Sequence, residues 1–244
     1  IIYGTYELND VLTFGIGVNP PYGSGLEWDE NSPGRAIVRE IVLRTFFITP
    51  TIGVDFDTIG IPGLAFAAGL DLVPASAYLR RDVLFGDQVG QVELSGSAFG
   101  IGGRMGLTYN PACAEDLHIG VSYRLPVAFN FSGDGDFDID DPTLRQSLNP
   151  DGPGSVELEV PQILSFGIAY DVLPELQFEV DVDYVGWNVY DNLTLTLPSF
   201  PETPDVREER ILERNWEDTV VVRVGGEYNT GKWAVRGGFV YDPT

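Results

Sequence analysis

Between Leu117 and Phe131 every odd position is apolar: Leu117, Ile119, Val121, Tyr123, Leu125, Val127, Phe129 and Phe131. The even positions hold His118, Gly120, Ser122, Arg124, Pro126, Ala128 and Asn130. Successive side chains of a strand point to opposite faces, so the alternation predicts one strand across 117–131 with a greasy face and a small or polar one. Strands of globular sheets run mostly ~3–10 residues, and this one is longer. The pattern returns in Leu176, Phe178, Val180, Val182 and Tyr184 against Gln177, Glu179, Asp181 and Asp183. It recurs in Val220, Val222, Val224 and Tyr228 against Arg223, Gly225 and Glu227, and in Trp233, Val235, Phe239 and Tyr241 against Ala234, Arg236 and Gly238.

Glycine, alanine and charged residues sharing one face describe a wet or ligand-lined lumen better than a packed core. The fold class expected is therefore all-β, an antiparallel transmembrane β-barrel of about ten strands. A soluble sandwich or lipocalin-like barrel is the rival. On the barrel reading, Arg104, Arg124, Arg223 and Arg236 face the lumen, while Phe129, Phe178, Trp233 and Phe239 face lipid.

Connections alternate in length. Short turns are expected near Asn9-Asp10, Thr58 to Pro62, Asn110 to Asp116, Asp171 to Glu175 and Asn229 to Gly231. Longer polar connections are expected at Asp29 to Arg35, Arg81 to Gly90, Gly133 to Gly154 and Pro198 to Arg214. Short periplasmic turns and long outer loops are the habit of outer-membrane barrels.

Composition narrows the function. The sequence has 244 residues, 43% of them hydrophobic, with 29 glycines and 12% aromatics. It holds no apolar run of the ~18 or more residues that a membrane-spanning helix needs, whereas a spanning strand needs only ~9–11. A net charge of −23 argues against nucleic acid, whose phosphates call for clustered cations. Lys232 is the one lysine, and the other basic residues are arginines, suited to bidentate contacts with carboxylates. Single Cys113 and His118 leave no disulfide framework and no histidine-based zinc site. No cofactor is expected.

Several stretches resemble the FadL family of outer-membrane transporters, in order and across nearly the whole chain. Leu12-Thr13-Phe14-Gly15-Ile16-Gly17-Val18 followed by Pro21-Tyr22-Gly23 is similar to an early family strand ending in an aromatic-glycine pair. Ala68 to Val73, running on to Arg81, resembles a strand that opens glycine-rich and ends on a charged pair. Phe99-Gly100-Ile101-Gly102-Gly103-Arg104-Met105-Gly106 resembles the glycine-rich central strand, and His118 to Arg124 the strand after it. Leu158 to Pro161 with Ser165-Phe166-Gly167, Tyr184 to Trp187, Trp216 to Tyr228 and Val235 to Asp242 continue the series. Each motif alone is weak, and their shared order carries the resemblance.

The resemblance implies a 14-stranded barrel, of which residues 1–244 would be one barrel domain lacking the N-terminal hatch and the last strands. It implies residence in the bacterial outer membrane and passive uptake of hydrophobic compounds such as long-chain fatty acids, or aromatic hydrocarbons as in the TodX type. The protein would not be an enzyme, and its expected partners are a hydrophobic small molecule and outer-membrane lipid, with the barrel a monomer. A structural barrel that carries nothing, or a soluble binding barrel, is the alternative.

The resemblance also points to residues. Pro20, Pro21, Tyr22, Gly23 and Gly25 match a kinked strand that opens the wall sideways toward lipid; two prolines cannot donate ladder hydrogen bonds, which independently permits a break. Arg81 matches a basic position that helps hold a ligand carboxylate. Glu217 stands where fatty-acid binders can carry a lysine, and would repel an anion unless Arg214 or Arg223 offsets it. Asp134, Asp136 and Asp138, with Asp140 and Asp141, offer alternating carboxylates for Ca²⁺ but lack the closing glutamate of a known loop, so a solvated acidic loop is the plainer reading. His118 and Ser122 share a strand face with Asn130 farther along, yet four residues of extended strand separate the first two by about 13 Å, too far for a nucleophile and its base.

Overall fold

The computed structural model describes residues 1–146, 151–198 and 207–243. It is one antiparallel sheet. The main path of neighbours comprises β1 (Ile2–Glu7), β2 (Leu12–Asn19), β5 (Phe47–Asp55), β6 (Leu64–Phe85), β7 (Gln88–Tyr109), β8 (Leu117–Arg124), β11 (Ile163–Leu173), β12 (Leu176–Val185), β15 (Thr219–Asn229) and β16 (Ala234–Tyr241). These ten form the continuous wall. The remaining strands extend it at one end: β3 (Gly23–Glu27) and β4 (Glu40–Thr45) beside β6, then β9 (Val127–Asp138), β10 (Gly152–Val160), β13 (Asn192–Pro198) and β14 (Arg207–Glu213) in pairwise order. Among the described residues, helix is confined to α1 (Pro142–Arg145), capped by the Asp141 carboxylate, and to single 3-10 turns at Asp57–Ile59 and Trp187–Tyr190.

The expected short turns lie together at one end of the wall, including 8–11, 56–63, 110–116, 174–175 and 230–233. At the other end the long connections are less irregular than the sequence suggests. Arg81 to Gly90 is no loop: β6 and β7 each run 22 residues and pair in one register from Leu64↔Tyr109 to Phe85↔Gln88. Gly86, in the left-handed conformation at φ 59°, makes the tight reversal between them. Gly133 to Gly154 likewise contains the ends of β9 and β10 and α1. Part of Pro198 to Arg214 forms β14, and residues 199–206 lie outside the described set.

The outer surface of the wall is apolar over a band. Phe14, Ile16, Ile52, Leu70, Phe99, Ile101 and Met105 are all exposed, whereas Phe47, Asp71 and Val73 on the opposite face are fully buried. On β6 the band runs from Leu64 to Pro74, the partners of Tyr109 and Phe99. That is about the ~9–11 residues with which a tilted strand crosses the hydrocarbon layer. Above it β6 and β7 continue with Ser76, Tyr78, Arg80, Glu93, Ser95 and Ser97, residues suited to water or headgroups.

The strand expected over 117–131 is two strands. Leu125 and Pro126 separate β8 from β9, and Pro126 has no N–H for the ladder. Against β7, Arg124 lies opposite Arg104 and Ser132 opposite Ser97, so seven residues, 125–131, span the distance covered by six, 98–103. A surplus of one residue swaps the two faces of everything beyond it. Phe129 therefore turns inward, 2% exposed. Its expected place against lipid is wrong, while Phe178, Trp233 and Phe239 are exposed.

Candidate functional site: the break in the wall

A second surplus residue sits between β2 and β3. Asn19 is opposite Phe47 and Gly23 opposite Arg44, so Pro20, Pro21 and Tyr22 face only Thr45 and Phe46. Pro20 to Tyr22 are outside any strand, whereas Gly23 and Gly25 are paired residues of β3. The swap of faces turns Tyr22 inward. Its hydroxyl donates to the Pro161 carbonyl at 3.0 Å, and its own carbonyl accepts from the Thr45 hydroxyl. The break in β2–β3 is thus tied to the break between β10 and β11, 139 residues away in sequence.

Inside this level lies an apolar cluster: Phe47, Val73, Ala75, Val127, Phe129, Phe131 and Val160, with Tyr22 and Leu43 against it. The Tyr22 and Phe47 rings are 5.9 Å apart and tilted by 49°. Two glycines make the cluster possible. A β-carbon at Gly100 would stand 2.4 Å from Val127 Cγ1 and 2.7 Å from the Phe129 ring; one at Gly102 would stand 2.6 Å from Val127 Cγ2. Bare backbone on β7 lets β9 lie over it, and the surplus residue at 125–126 supplies the chain to do so.

A polar layer adjoins the cluster. Asp71 is fully buried and accepts from the Thr49 hydroxyl at 2.5 Å and from Arg104 Nε at 2.9 Å, with Arg104 Nη2 at 2.8 Å. The Arg124 guanidinium lies 5.9 Å from both the Tyr22 and Phe47 ring centroids, a cation over two aromatic faces. Arg104 and Arg124 are register partners on the inner face as expected, and Asp71 supplies the counter-charge to the first. Asp71 and Phe47 were not singled out in the sequence. Asp71 had a signal, as the lone charge in the apolar stretch from Ile59 to Val73; Phe47 had none, being one apolar residue among many.

The proposed ligand-binding residues do not form one constellation. Arg81 lies on β6 near its tip, exposed and without an ion-pair partner among the described residues; Asp82 beside it is held by Arg35 and Arg39. Arg223, on β15, is paired with Asp183. Glu217 and Arg214 are exposed in the segment joining β14 to β15, where the Arg214 amide donates to the Asp191 carbonyl. That segment is fastened by Asp218, which accepts from the Tyr184 hydroxyl and from the Asn188 amide at 2.9 Å; the Tyr184 contact chiefly holds the carboxyl below its usual range. Trp216 packs edge-on against Trp187 and Tyr190, at 4.8 and 5.1 Å.

Two weaker candidates, both secondary in the sequence, lie as follows. Asp134, Asp136 and Asp138 alternate along one face of β9 rather than converging, and no metal-holding group of acidic, histidine or cysteine residues occurs among the described residues. His118 is engaged by Asn110 at 3.1 Å through Nδ1 and by Asp171 at 3.1 Å through Nε2, not by Ser122.

Comparison with known proteins agrees with this architecture. The Pseudomonas aeruginosa FadL homologue has the same fold at a TM-score of 0.84, with 17% identity over 99% of this chain and 59% of that one. The toluene transporter TbuX of Ralstonia pickettii superposes at 0.76, with 20% identity over 99% of this chain and 68% of that one. An outer-membrane protein of Neisseria meningitidis serogroup B is 23% identical over 274 aligned positions, covering 99% of this chain and 58% of the relative. The chain thus spans somewhat under two thirds of that relative's length. The sequence profile of the outer-membrane transport proteins OMPP1/FadL/TodX matches residues 1–244, and the chain belongs to that family, a family of outer-membrane transport proteins and not of enzymes.

Proposed function

We propose that this chain builds the wall and inner constriction of a channel for passive uptake of hydrophobic compounds, and that cargo leaves sideways through the break at Pro20 to Tyr22. The observation that carries the reading is the break itself. A gap in backbone pairing, bordered outside by the apolar band and inside by the Phe47–Phe129 cluster, offers a greasy route from lumen to bilayer. Similar structures include proteins described as toluene transporters, TbuX and TodX, and a monoaromatic hydrocarbon channel, CymD. Aromatic hydrocarbons are accordingly one cargo class, and long-chain fatty acids, which the family resemblance implies, are the other. The barrel acts as a monomer surrounded by outer-membrane lipid.

Deletion of Pro21 tests the exit. It removes the surplus residue, lets β2 run into β3 in one register against β4 and β5, and keeps Tyr22 on the inner face. Uptake of a labelled long-chain fatty acid and of toluene by cells carrying the full-length protein should fall at least tenfold, while the barrel still assembles. Undiminished uptake by a well-assembled deletion variant would remove the side exit. Arg81 is proposed as the carboxylate partner, since an anion entering an apolar passage needs a cation to meet it. Arg81→Ala should then weaken binding of a fatty acid more than of its alcohol, and equal losses would assign the site to neutral hydrocarbons.

A further inference from the structure

The outer face of the wall changes character in one step above the apolar band. Pro74 and Phe99 are register partners at its upper border, and both are exposed. The next outward row crosses six strands, and its members are Arg44, Ser76, Ser97, Ser132, Ser155 and Thr196, each opposite the next. Above it Tyr78, Ser95 and Asp134 form a second row. Between β4 and β9 these rows line a concavity of about 620 Å³, with small residues at its floor and Arg44, Glu40 and Asp134 among its lining.

Hydroxyls and charges cannot face acyl chains without losing their hydrogen bonds, so this row lies where hydrocarbon ends. Its chemistry is mixed. Arg44 is exposed with no ion-pair partner among the described residues, while Glu40 is paired with Arg80 at 3.0 Å. Carboxylates at Glu40 and Asp134 disfavour a densely phosphorylated group but accept from hydroxyls; serine and Arg44 donate to ring and hydroxyl oxygens, and Tyr78 adds an aromatic surface. That combination suits a polyol. The concavity is also continuous with the lipid-facing band directly beneath it, so its occupant has a headgroup above and chains below.

We infer that the Arg44–Ser76–Ser97–Ser132 concavity seats the sugar headgroup of an outer-leaflet glycolipid, whose acyl chains lie on the band below Pro74 and Phe99. The site is on the outside of the wall, where Arg44 is opposite Gly23 and so borders the break through which cargo is proposed to leave.

The test uses the full-length protein, reconstituted with a neutral diacyl glycolipid, digalactosyldiacylglycerol, or with phosphatidylglycerol, washed in detergent and weighed by native mass spectrometry. The wild type should retain digalactosyldiacylglycerol at least tenfold more than the doubly substituted Ser76→Leu, Ser97→Leu protein, with both migrating as folded barrels. Equal retention by the two overturns the proposal, as does equal retention of phosphatidylglycerol by the wild type. Deacylated, soluble saccharide binding as tightly as the lipid also overturns it, because a free sugar would then be the occupant. Should the leucine protein fail to assemble, Arg44→Gln with Ser97→Ala adds no bulk; retention should fall several-fold, and unchanged retention rejects the site.

Discussion

Asp71 shows how one residue can fix the inner face of a membrane wall. Its carboxylate is fully buried; Oδ1 meets Thr49 and both Nε and Nη2 of Arg104, while Oδ2 has no hydrogen-bond partner among the described residues, so the ion pair and the hydroxyl offset only part of its desolvation. Removing one partner of such a pair strands the other, at a cost of about 3–5 kcal/mol. Asp71→Ala should therefore destabilise the assembled protein by that order, and Asp71→Ala combined with Arg104→Met should recover much of it. Urea unfolding in lipid measures both, and a double variant as unstable as the single one would show that the pair is not the source. Tyr22 illustrates the opposite limit of legibility. Its place beside two prolines marked the break, but its hydrogen bond to Pro161 joins distant parts of the chain and leaves no trace in local sequence.

At the scale of elements, periodicity identified β8 and β9 but not the change of phase between them. With one surplus residue at 125–126, Asn130 should share the outer face with Val121 and not with Ser122. Nitroxide labels at 121, 122 and 130 provide the check: collision with lipid-soluble oxygen should be high at 121 and 130 and low at 122. A label at 130 behaving like that at 122 would restore a single unbroken strand. The segment joining β14 to β15 gives a pH prediction. The Tyr184 hydroxyl, and then the Asn188 amide, hold the Asp218 carboxyl below its usual range. A carboxylate depressed in the folded state contributes fully above its unfolded value of about 3.9 and ceases to do so as pH falls through the lower folded value. Fluorescence of the Trp187–Trp216 pair should therefore hold steady from neutral pH to about pH 4 and change only below it. Asp218→Asn should abolish that acid step, and a step that survives the substitution belongs to another group.

For the molecule as a whole, the distribution of pairing predicts where it opens. β6 and β7 pair along their full 22 residues, whereas Pro20 to Tyr22 lie outside any strand. Amide exchange of the full-length protein in detergent should be slowest at Ala67 to Ala77 and faster at Tyr22, by orders of magnitude if the central hairpin opens only globally. Uniform exchange across these positions would contradict the pairing described above.

The sequence by itself determined the all-β class, the membrane-spanning alternation, the short-turn end and the interruption at Pro20 and Pro21. All of these follow from local rules: side chains alternate along a strand, proline lacks a donor, and glycine and asparagine mark turns. Tertiary structure alone decided which face each residue takes beyond a break, because a surplus of one residue is defined only against the partner strand. That is why Phe129 moved from lipid to the interior and why Arg81 to Gly90 became paired strand: the polar residues there suit a loop and an exposed hairpin equally well. The inner cluster likewise depends on Gly100 and Gly102 lying under Val127 and Phe129, a fit between segments about 25 residues apart that no single stretch of sequence contains.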